Sequence, residues 1–220
     1  MLLFLKGINN KGKYVFRTND NETIYIKDID IEKLIYLEES LNYIENNLNY
    51  KIQSFTIDGR KGVIELLNKL YPYIPIQLCQ FHQKQIIRRY ITNNPKLPCS
   101  IDLKNLVNTL SYKETNEKEF VEEFNDLKDK YEDFLKEKSI NKETNKTEYT
   151  HKRLRSAFRS IKVNLPYLFT YKKEEYKHFK IPNTTNACDG KFGVIKPKIK
   201  NHRGLKIERK SKMFDELIKN

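Results

Sequence analysis

The sequence has few cysteines, little glycine and no long apolar segment. Its three cysteines, Cys79, Cys99 and Cys188, are odd in number and far apart, which argues against the disulfide framework of a small secreted domain. The apolar run at the start of the chain, Leu2–Leu5, ends at Lys6 with no basic residue before it and no cleavage signal after it. We therefore expect an intracellular, cytoplasmic protein without a signal peptide, a transmembrane helix or a membrane partner.

Acidic residues are scarce only after residue 140. The chain has 42 Lys and Arg against 29 Asp and Glu, a net charge of +13, but residues 1–140 contain 21 of each. Residues 141–220 contain the other 21 basic residues and only 8 acidic ones. Such segregation favours a nucleic-acid partner over a generically basic soluble protein.

Residues 1–100 have the pattern of a mixed sheet with helices. Apolar runs predict five strands: Leu2–Leu5, Tyr14–Phe16, Thr23–Ile26, Ser54–Ile57 and Ile74–Leu78. Amphipathic spacing predicts helices over 31–48, 61–70 and 83–91. The resulting order, β-β-β-α-β-α-β-α, indicates an α/β fold with helices packed on a mixed sheet.

After residue 100 the pattern becomes helical. No glycine occurs between Gly62 and Gly190, and helices are predicted over 101–112, 115–138 and 147–164, with a polar loop over 139–147. A further helix over 191–200 should end or bend at Pro197. We divide the chain into a first segment (1–100), a mainly helical insertion (101–180) and a closing segment (181–220).

Two strands end in residues that can do chemistry. Asp58 follows one strand, where a carboxylate can bind a divalent cation or cap the next helix. Cys79 and His82 follow the next, at a spacing that can share zinc, although Cys99, His151 and His202 are isolated and no second close pair exists. The alternative for this pair is a buried thiol and a hydrogen-bonded histidine near the site, and we do not expect zinc.

The closing segment combines an acid with many cations. Asp189 follows the polar residues 183–186 and opens a predicted helix, so it is a candidate metal ligand or a first-turn acid favoured by the helix dipole. The basic residues that follow form a candidate phosphate-contacting surface, which includes Lys196, Lys198, Lys200, His202 and Arg203.

A second candidate DNA-binding element is the predicted helix over 151–162. Its basic residues are Arg153, Arg155, Arg159 and Lys162, several of them three or four positions apart. The alternative is a solvated basic helix with no ligand.

Four stretches together resemble the DDE transposases of bacterial insertion sequences related to the Mutator-like group. They are SFTIDGRKG (54–62), PIQLCQFHQKQIIRRYITNNPK (75–96), YTHKRLRSAFRSIKVNLPYLFTY (149–171) and NTTNACDGKFGVIKPKIKNHRGL (183–205). The resemblance implies a ribonuclease-H-like fold, a mixed sheet with flanking helices and a helical insertion, that cuts and joins DNA. It makes Asp58 and Asp189 catalytic ligands of Mg²⁺ or Mn²⁺ and gives Cys79 and His82 a supporting role.

The sequence departs from that family in three respects. Residues 1–5 contain no acid where the family has its first Asp, Asp189 stands in place of a Glu, and the family's N-terminal recognition domain is missing. We therefore expect a truncated or degenerate transposase, associated with the nucleoid, that binds transposon ends and target DNA, forms a homo-oligomer and has weak or no strand transfer on its own. The alternatives are a non-catalytic DNA-binding remnant and a zinc-containing interaction protein.

Overall fold

A computed structural model describes residues 2–6, 12–20, 22–30, 33–110, 112 and 114–219. The elements in chain order begin with β1 (Leu2–Lys6), β2 (Gly12–Arg17), β3 (Thr23–Ile29), α1 (Leu34–Asn46), β4 (Phe55–Ile57), α2 (Lys61–Leu70), β5 (Ile76–Leu78) and α3 (Gln80–Ile91). They continue with α4 (Pro98–Thr109), α5 (Glu117–Lys130), α6 (Glu132–Lys136), β6 (Lys138–Ile140), β7 (Thr147–Tyr149) and α7 (Lys152–Leu168). Two 3-10 helices (Thr170–Lys172 and Glu174–Phe179) precede α8 (Asn186–Asn201) and α9 (Ile207–Lys219).

The chain forms two compact units. The first contains residues 1–79 and 170–220, and the second contains residues 80–169. In sequence, the second unit is thus an insertion between β5 and the 3-10 helices. It begins at Gln80 rather than at residue 101, and ends at Phe169 rather than at residue 180.

The first unit is built on two small sheets. β1, β2 and β3 form an antiparallel sheet in that order, while β4 and β5 pair in parallel. Cα atoms of β1 and β4 approach within 8 Å, so the two sheets lie close together in the first unit. The α/β class expected from the sequence is therefore confirmed, and the predicted element order over residues 1–100 is observed.

One core cluster attaches the last two helices to the antiparallel sheet. Val15 of β2 packs with buried side chains of α8 and α9, which are Phe192, Ile195, Ile199, Phe214 and Ile218. Lys13, 8% exposed, joins the same elements because its Nζ pairs with Asp28 at 2.7 Å and with Asp215 at 2.8 Å. The closing segment is thereby held on β2 and β3 by apolar packing and a partly buried ion-pair network.

The second unit is mainly helical. Phe120 packs against Phe169 with ring centroids 5.5 Å apart, and Phe124 packs against Phe158 at 5.7 Å. Buried glutamine joins its first and last helices, since Gln80 Nε2 donates to Leu168 O at 2.8 Å and Gln83 Oε1 accepts from Asn164 Nδ2 at 2.7 Å. Apolar contacts and satisfied amides together fix α3 against α7.

Predictions for residues 115–147 were wrong in two places. The single helix predicted over 115–138 is two helices, α5 and α6, followed by β6. The predicted loop over 139–147 is mostly a hairpin, β6 paired antiparallel with β7, whose turn is stabilised by Asn141 Oδ1 accepting from Glu143 N at 2.9 Å and from Thr144 N at 3.3 Å. Most of the hairpin's side chains are exposed, so the sequence has no apolar alternation to reveal it.

The closing segment also differs from the prediction. The sequence predicted a helix over 191–200 that ends or bends at Pro197. α8 is longer, from Asn186 to Asn201, and continues past Pro197. Ile195 and Ile199 are buried on either side of Pro197, and this packing offsets the hydrogen bond that proline cannot donate. α9 was not predicted, because its buried Phe214 and Ile218 lie among many charged residues. The first positions of the helix predicted over 31–48 lie outside the described residues.

No helix in the described part of the chain is both long enough and apolar enough to span a membrane.

Candidate functional site

The carboxyl ends of β4 and β5 place Asp58 and Cys79 next to each other in the fold. Ile57 and Leu78 are partners in the parallel register, and each is followed directly by one of these residues. The Cys79 N–H continues the ladder by donating to Ile57 O at 2.7 Å. Because ligands of open α/β sheets bind beyond the carboxyl ends of the strands, this edge is the candidate site.

The turn after β4 orients Asp58. Gly59 has a φ of 90°, a left-handed conformation that glycine adopts without a steric penalty, and it turns the chain towards α2. Arg60 occupies the N-cap position of α2, so Asp58 does not hold the position expected of a capping residue. The Asp58 side chain is half-buried and its Oδ1 atom is enclosed.

Thr185 connects this edge to Asp189. Its backbone N–H donates to Cys79 Sγ at 3.2 Å, and its side-chain hydroxyl lies 3.3 Å from the same sulfur. The hydroxyl also lies 3.1 Å from Asp189 Oδ2. A hydroxyl has one proton and two acceptor lone pairs, so Thr185 can donate to the Asp189 carboxylate while its oxygen faces the thiol.

Buried contacts hold the segment before Thr185 against β4. Thr56 is 2% exposed and its hydroxyl donates to Pro182 O at 3.2 Å. Ile181 and Thr185 are buried at either end of this segment. The first turn of α8, which contains Asp189, therefore starts at the carboxyl edge of the sheet.

The opposite flank of β5 is fixed by the chain that follows the second unit. Thr170 Oγ1 donates to Ile76 O at 2.8 Å, and the Tyr171 backbone N–H donates to the buried Gln77 Oε1 at 2.9 Å. Gln77 Nε2 in turn donates to Leu78 O at 2.6 Å. β5 is thus held from both sides, which limits movement of Cys79.

The four residues predicted for the candidate site fall into two places. Asp58, Cys79 and Asp189 come together in the first unit, whereas His82 belongs to α3 of the second unit, where its ring meets Phe81 edge-on at 5.9 Å. Burial raises the pKa of the Cys99 thiol to about 12, with a smaller contribution from Asp102, so this cysteine stays protonated at neutral pH. The side chain of Cys188 lies outside the described residues.

Oxygen donors of the type that Mg²⁺ prefers are present at the edge, but they are few. Magnesium is commonly held by one or two carboxylates together with water and substrate phosphates, which Asp58 and Asp189 suit. Within the described part of the chain, no group of three or more His, Cys, Asp and Glu side chains is arranged to hold a metal ion.

The basic residues of α7 have different surroundings. Arg153 Nη2 donates to Arg89 O, and Arg155 Nη1 donates to Leu135 O at 2.7 Å. The Arg155 guanidinium also lies 3.6 Å above the centroid of the Tyr149 ring. Arg159 and Lys162 are exposed. Lys152, the remaining basic residue of α7, forms an ion pair with Glu148, so three cations of this helix are held by the protein and two face solvent.

The five basic residues of the closing segment that the sequence singled out are exposed. They comprise Lys196, Lys198, Lys200, His202 and Arg203, the last two lying just after α8. The buried positions of the same helix are Phe192, Ile195 and Ile199, so apolar packing uses one face and leaves the lysines to solvent.

His151, another histidine considered as a ligand, instead contacts Glu137 Oε2 at 2.9 Å.

Sequence reasoning missed Thr185 and Tyr149. Thr185 lies in the polar stretch that we noted before Asp189, but its contact with Cys79 spans 106 positions and has no local signal. Tyr149 precedes a basic helix, which is the one sequence feature that could have suggested an aromatic partner for arginine.

Searches against models of known protein families and against curated protein sequences find no match to this chain.

Replacing Thr185 by valine should lower the free energy of unfolding by about 1–3 kcal/mol, because the hydroxyl is fully buried and serves both Cys79 and Asp189. Serine at this position keeps the hydroxyl and should retain most of the stability. Urea unfolding followed by circular dichroism measures both variants, since the chain has no tryptophan. Equal stability of Thr185→Val and wild type would contradict a structural role for the hydroxyl.

Proposed function

We propose that this chain is a DNA-binding domain of the DDE transposase type, with a ribonuclease-H-like fold and a reduced metal site formed by Asp58 and Asp189. The observation that carries the proposal is the convergence of two separate acids on one sheet edge, through the contacts of Thr185 with Cys79 and Asp189. The proposal also rests on the four sequence stretches that resemble the Mutator-like transposases.

The architecture supports the proposed fold. The first unit has an antiparallel sheet of three strands, β1 to β3, and a parallel pair, β4 and β5, with helices between strands in sequence. A mainly helical unit is inserted in sequence before the helix that contains the last acid. These features support the fold that the family resemblance implies.

Asp58 and Asp189 would hold one magnesium or manganese ion, with water and DNA phosphate oxygens filling its other positions. When bound, such an ion polarises a phosphoryl oxygen and lowers the pKa of bound water. The chain's own contribution is to aim the two carboxylates. Gly59 turns Asp58 out of the strand, and Thr185 restrains Asp189 through Oδ2 at 3.1 Å.

DNA contact is proposed for the exposed cations of α7 and of the closing segment. Lysine and arginine side chains that meet phosphates release condensed counterions, so their contribution depends strongly on salt. Lys196, Lys198 and Lys200 are exposed over one short stretch of α8, and none of them makes an ion pair with a described acidic residue. They are therefore available for phosphate contact without first breaking a salt bridge.

Substituting Lys196, Lys198 and Lys200 together by glutamine should weaken binding of a DNA duplex. The salt slope, log Kd against log salt concentration, should fall by about 1 for each DNA phosphate that the variant no longer neutralises. Fluorescence anisotropy with a labelled duplex at several salt concentrations measures both quantities. The matched control replaces Lys51, Lys69 and Lys173, three exposed lysines of the same unit, by glutamine. An equal loss of affinity in both triple variants would show that only net charge matters and would contradict the proposed surface.

A second candidate function is DNA binding without catalysis. It is favoured by the observation that the described residues contain no group of three metal-ligating side chains. A substitution of Asp58 can distinguish catalysis from DNA binding, because Asp58 lies at the candidate metal site and belongs to neither basic surface.

Without divalent ions, the Asp58→Asn variant should bind duplex DNA at least as tightly as wild type, because amide and carboxylate have nearly the same shape and the change removes a negative charge. If the chain cleaves DNA, Mg²⁺-dependent nicking of a labelled duplex should fall at least about a hundredfold in this variant, as expected when an essential metal ligand is lost. If wild type and Asp58→Asn are both inactive while binding remains, the non-catalytic function is the correct one. Robust nicking that is unchanged by Asp58→Asn would contradict the role given to this residue.

A further inference from the structure

The second unit contains a basic cavity that the proposed metal site does not use. It has a volume of about 420 Å³ and lies between α5, β7 and α7. Five of its lining side chains are cationic, and none of the described acidic side chains lines it; the cations are Lys128, Lys152, Arg155, Arg159 and Lys162. A small cavity with a lining of this charge selects for an anionic ligand.

The cations around this cavity are not equivalent. Lys152 forms an ion pair with Glu148, which is not part of the lining. Arg155 Nη1 donates a hydrogen bond to Leu135 O at 2.7 Å. Arg159 and Lys162 are exposed, and no described acidic residue forms an ion pair with either of them. These two side chains, together with Lys128, which is also exposed and makes no ion pair with a described acidic residue, can consequently reach a phosphate at the mouth of the cavity.

The interior of the cavity is apolar and aromatic. Phe124 and Phe158, 5.7 Å apart, lie beneath it with Leu135, and all three are nearly buried. These three side chains offer contact to a flat apolar group but cannot form hydrogen bonds. A simple inorganic anion would gain little from such a floor, whereas a ligand with an aromatic ring and an attached phosphate would use both parts of the cavity.

Tyr149 and Arg155 form a preorganised wall. The guanidinium lies 3.6 Å above the ring centroid, and its hydrogen bond to Leu135 O fixes its orientation. Tyr149 is 39% exposed, so part of its aromatic surface remains accessible. Aromatic and guanidinium surfaces of this kind are the ones on which single-stranded bases stack.

We propose that this cavity binds an unpaired nucleotide of single-stranded DNA, with the base in the apolar interior and its phosphate on Arg159 and Lys162. The volume lies within the range of small-molecule pockets, about 300–1,000 Å³, and suits one nucleotide. Bases inside a duplex are stacked on both faces and cannot enter. The inference rests on the proposed function in taking DNA as the polymer, and it adds a preference for unpaired ends.

The test uses the full chain and three labelled DNA probes of matched length. They are a blunt duplex, the same duplex with a three-nucleotide 3′ overhang, and a single strand, each titrated by fluorescence anisotropy at one salt concentration. The overhang should bind at least about fivefold more tightly than the blunt duplex, as expected for stacking of one or more bases.

Two sets of variants separate stacking from charge. Arg159→Gln with Lys162→Gln, and separately Tyr149→Leu, should each remove most of the gain from the overhang. The charge control is Lys142→Gln with Lys146→Gln, two exposed lysines of the same unit outside the cavity lining. The aromatic control is Tyr112→Leu, an exposed tyrosine of the same unit that also lies outside the lining. Both controls should bind the overhang as wild type does.

Equal affinity for blunt and overhanging duplexes would overturn the inference, as would equal losses of affinity in the cavity variants and their controls. Tighter binding of an RNA strand of the same sequence would overturn the assignment to DNA. The blunt duplex reports separately on the proposed function. If it fails to bind while the single strand binds through the cavity residues, the duplex-binding proposal fails and the inference stands.

Discussion

The contact between Thr185 and Cys79 is the constraint on which the candidate site depends. It joins residues 106 positions apart, and through it the beginning of α8 meets the carboxyl end of β5. Thr185 then reaches Asp189 through its hydroxyl, while the pairing of β4 with β5 brings Asp58 to the same edge. The hydrogen bond from the Thr56 hydroxyl to Pro182 O holds the same segment against β4. The packing of α8 and α9 on Val15 reinforces the contact between Thr185 and Cys79 from the far end of the helix, because the helix cannot shift without disturbing that core.

The two units divide the chemistry between them. The first provides carboxylates on a sheet edge and exposed lysines on α8, and the second provides a cationic cavity with an aromatic floor. In both, buried polar contacts hold the functional side chain rather than leaving it on a mobile surface. Arg155 is held by Leu135 O and Tyr149, as Asp189 is held by Thr185. Groups oriented in advance in this way lose less conformational freedom when a ligand binds.

Local patterns in the sequence predicted the parts of the fold that have a buried face. The helix predicted over 61–70 matches α2 because Val63, Ile64 and Leu67 are buried at helical spacing. The β6–β7 hairpin has mostly exposed strands and was missed, since its stability comes from the turn at Asn141. Asp58, Cys79 and Asp189 could be proposed from strand ends and resemblance. Their connection through Thr185 could not, because a contact of that sequence separation depends on the whole fold. The cavity was hidden for a similar reason, as Phe124, Lys128 and Leu135 come from α5 and α6, which the β6–β7 hairpin separates from Arg159 in α7.

Asp58 and Asp189 are proposed to act together on one divalent ion, and the rest of the proposed chemistry follows from that pairing. Titration of the full chain with Mn²⁺, detected as the loss of the free-ion electron paramagnetic resonance signal, tests it most directly. We predict one site, weakened at least about tenfold by Asp58→Asn or by Asp189→Asn. The double variant should lose this one Mn²⁺ site and no other. The control is Asp20→Asn, which changes an exposed acid of the same unit and should bind Mn²⁺ as wild type does. Mn²⁺ affinity that neither single substitution changes would contradict the shared site.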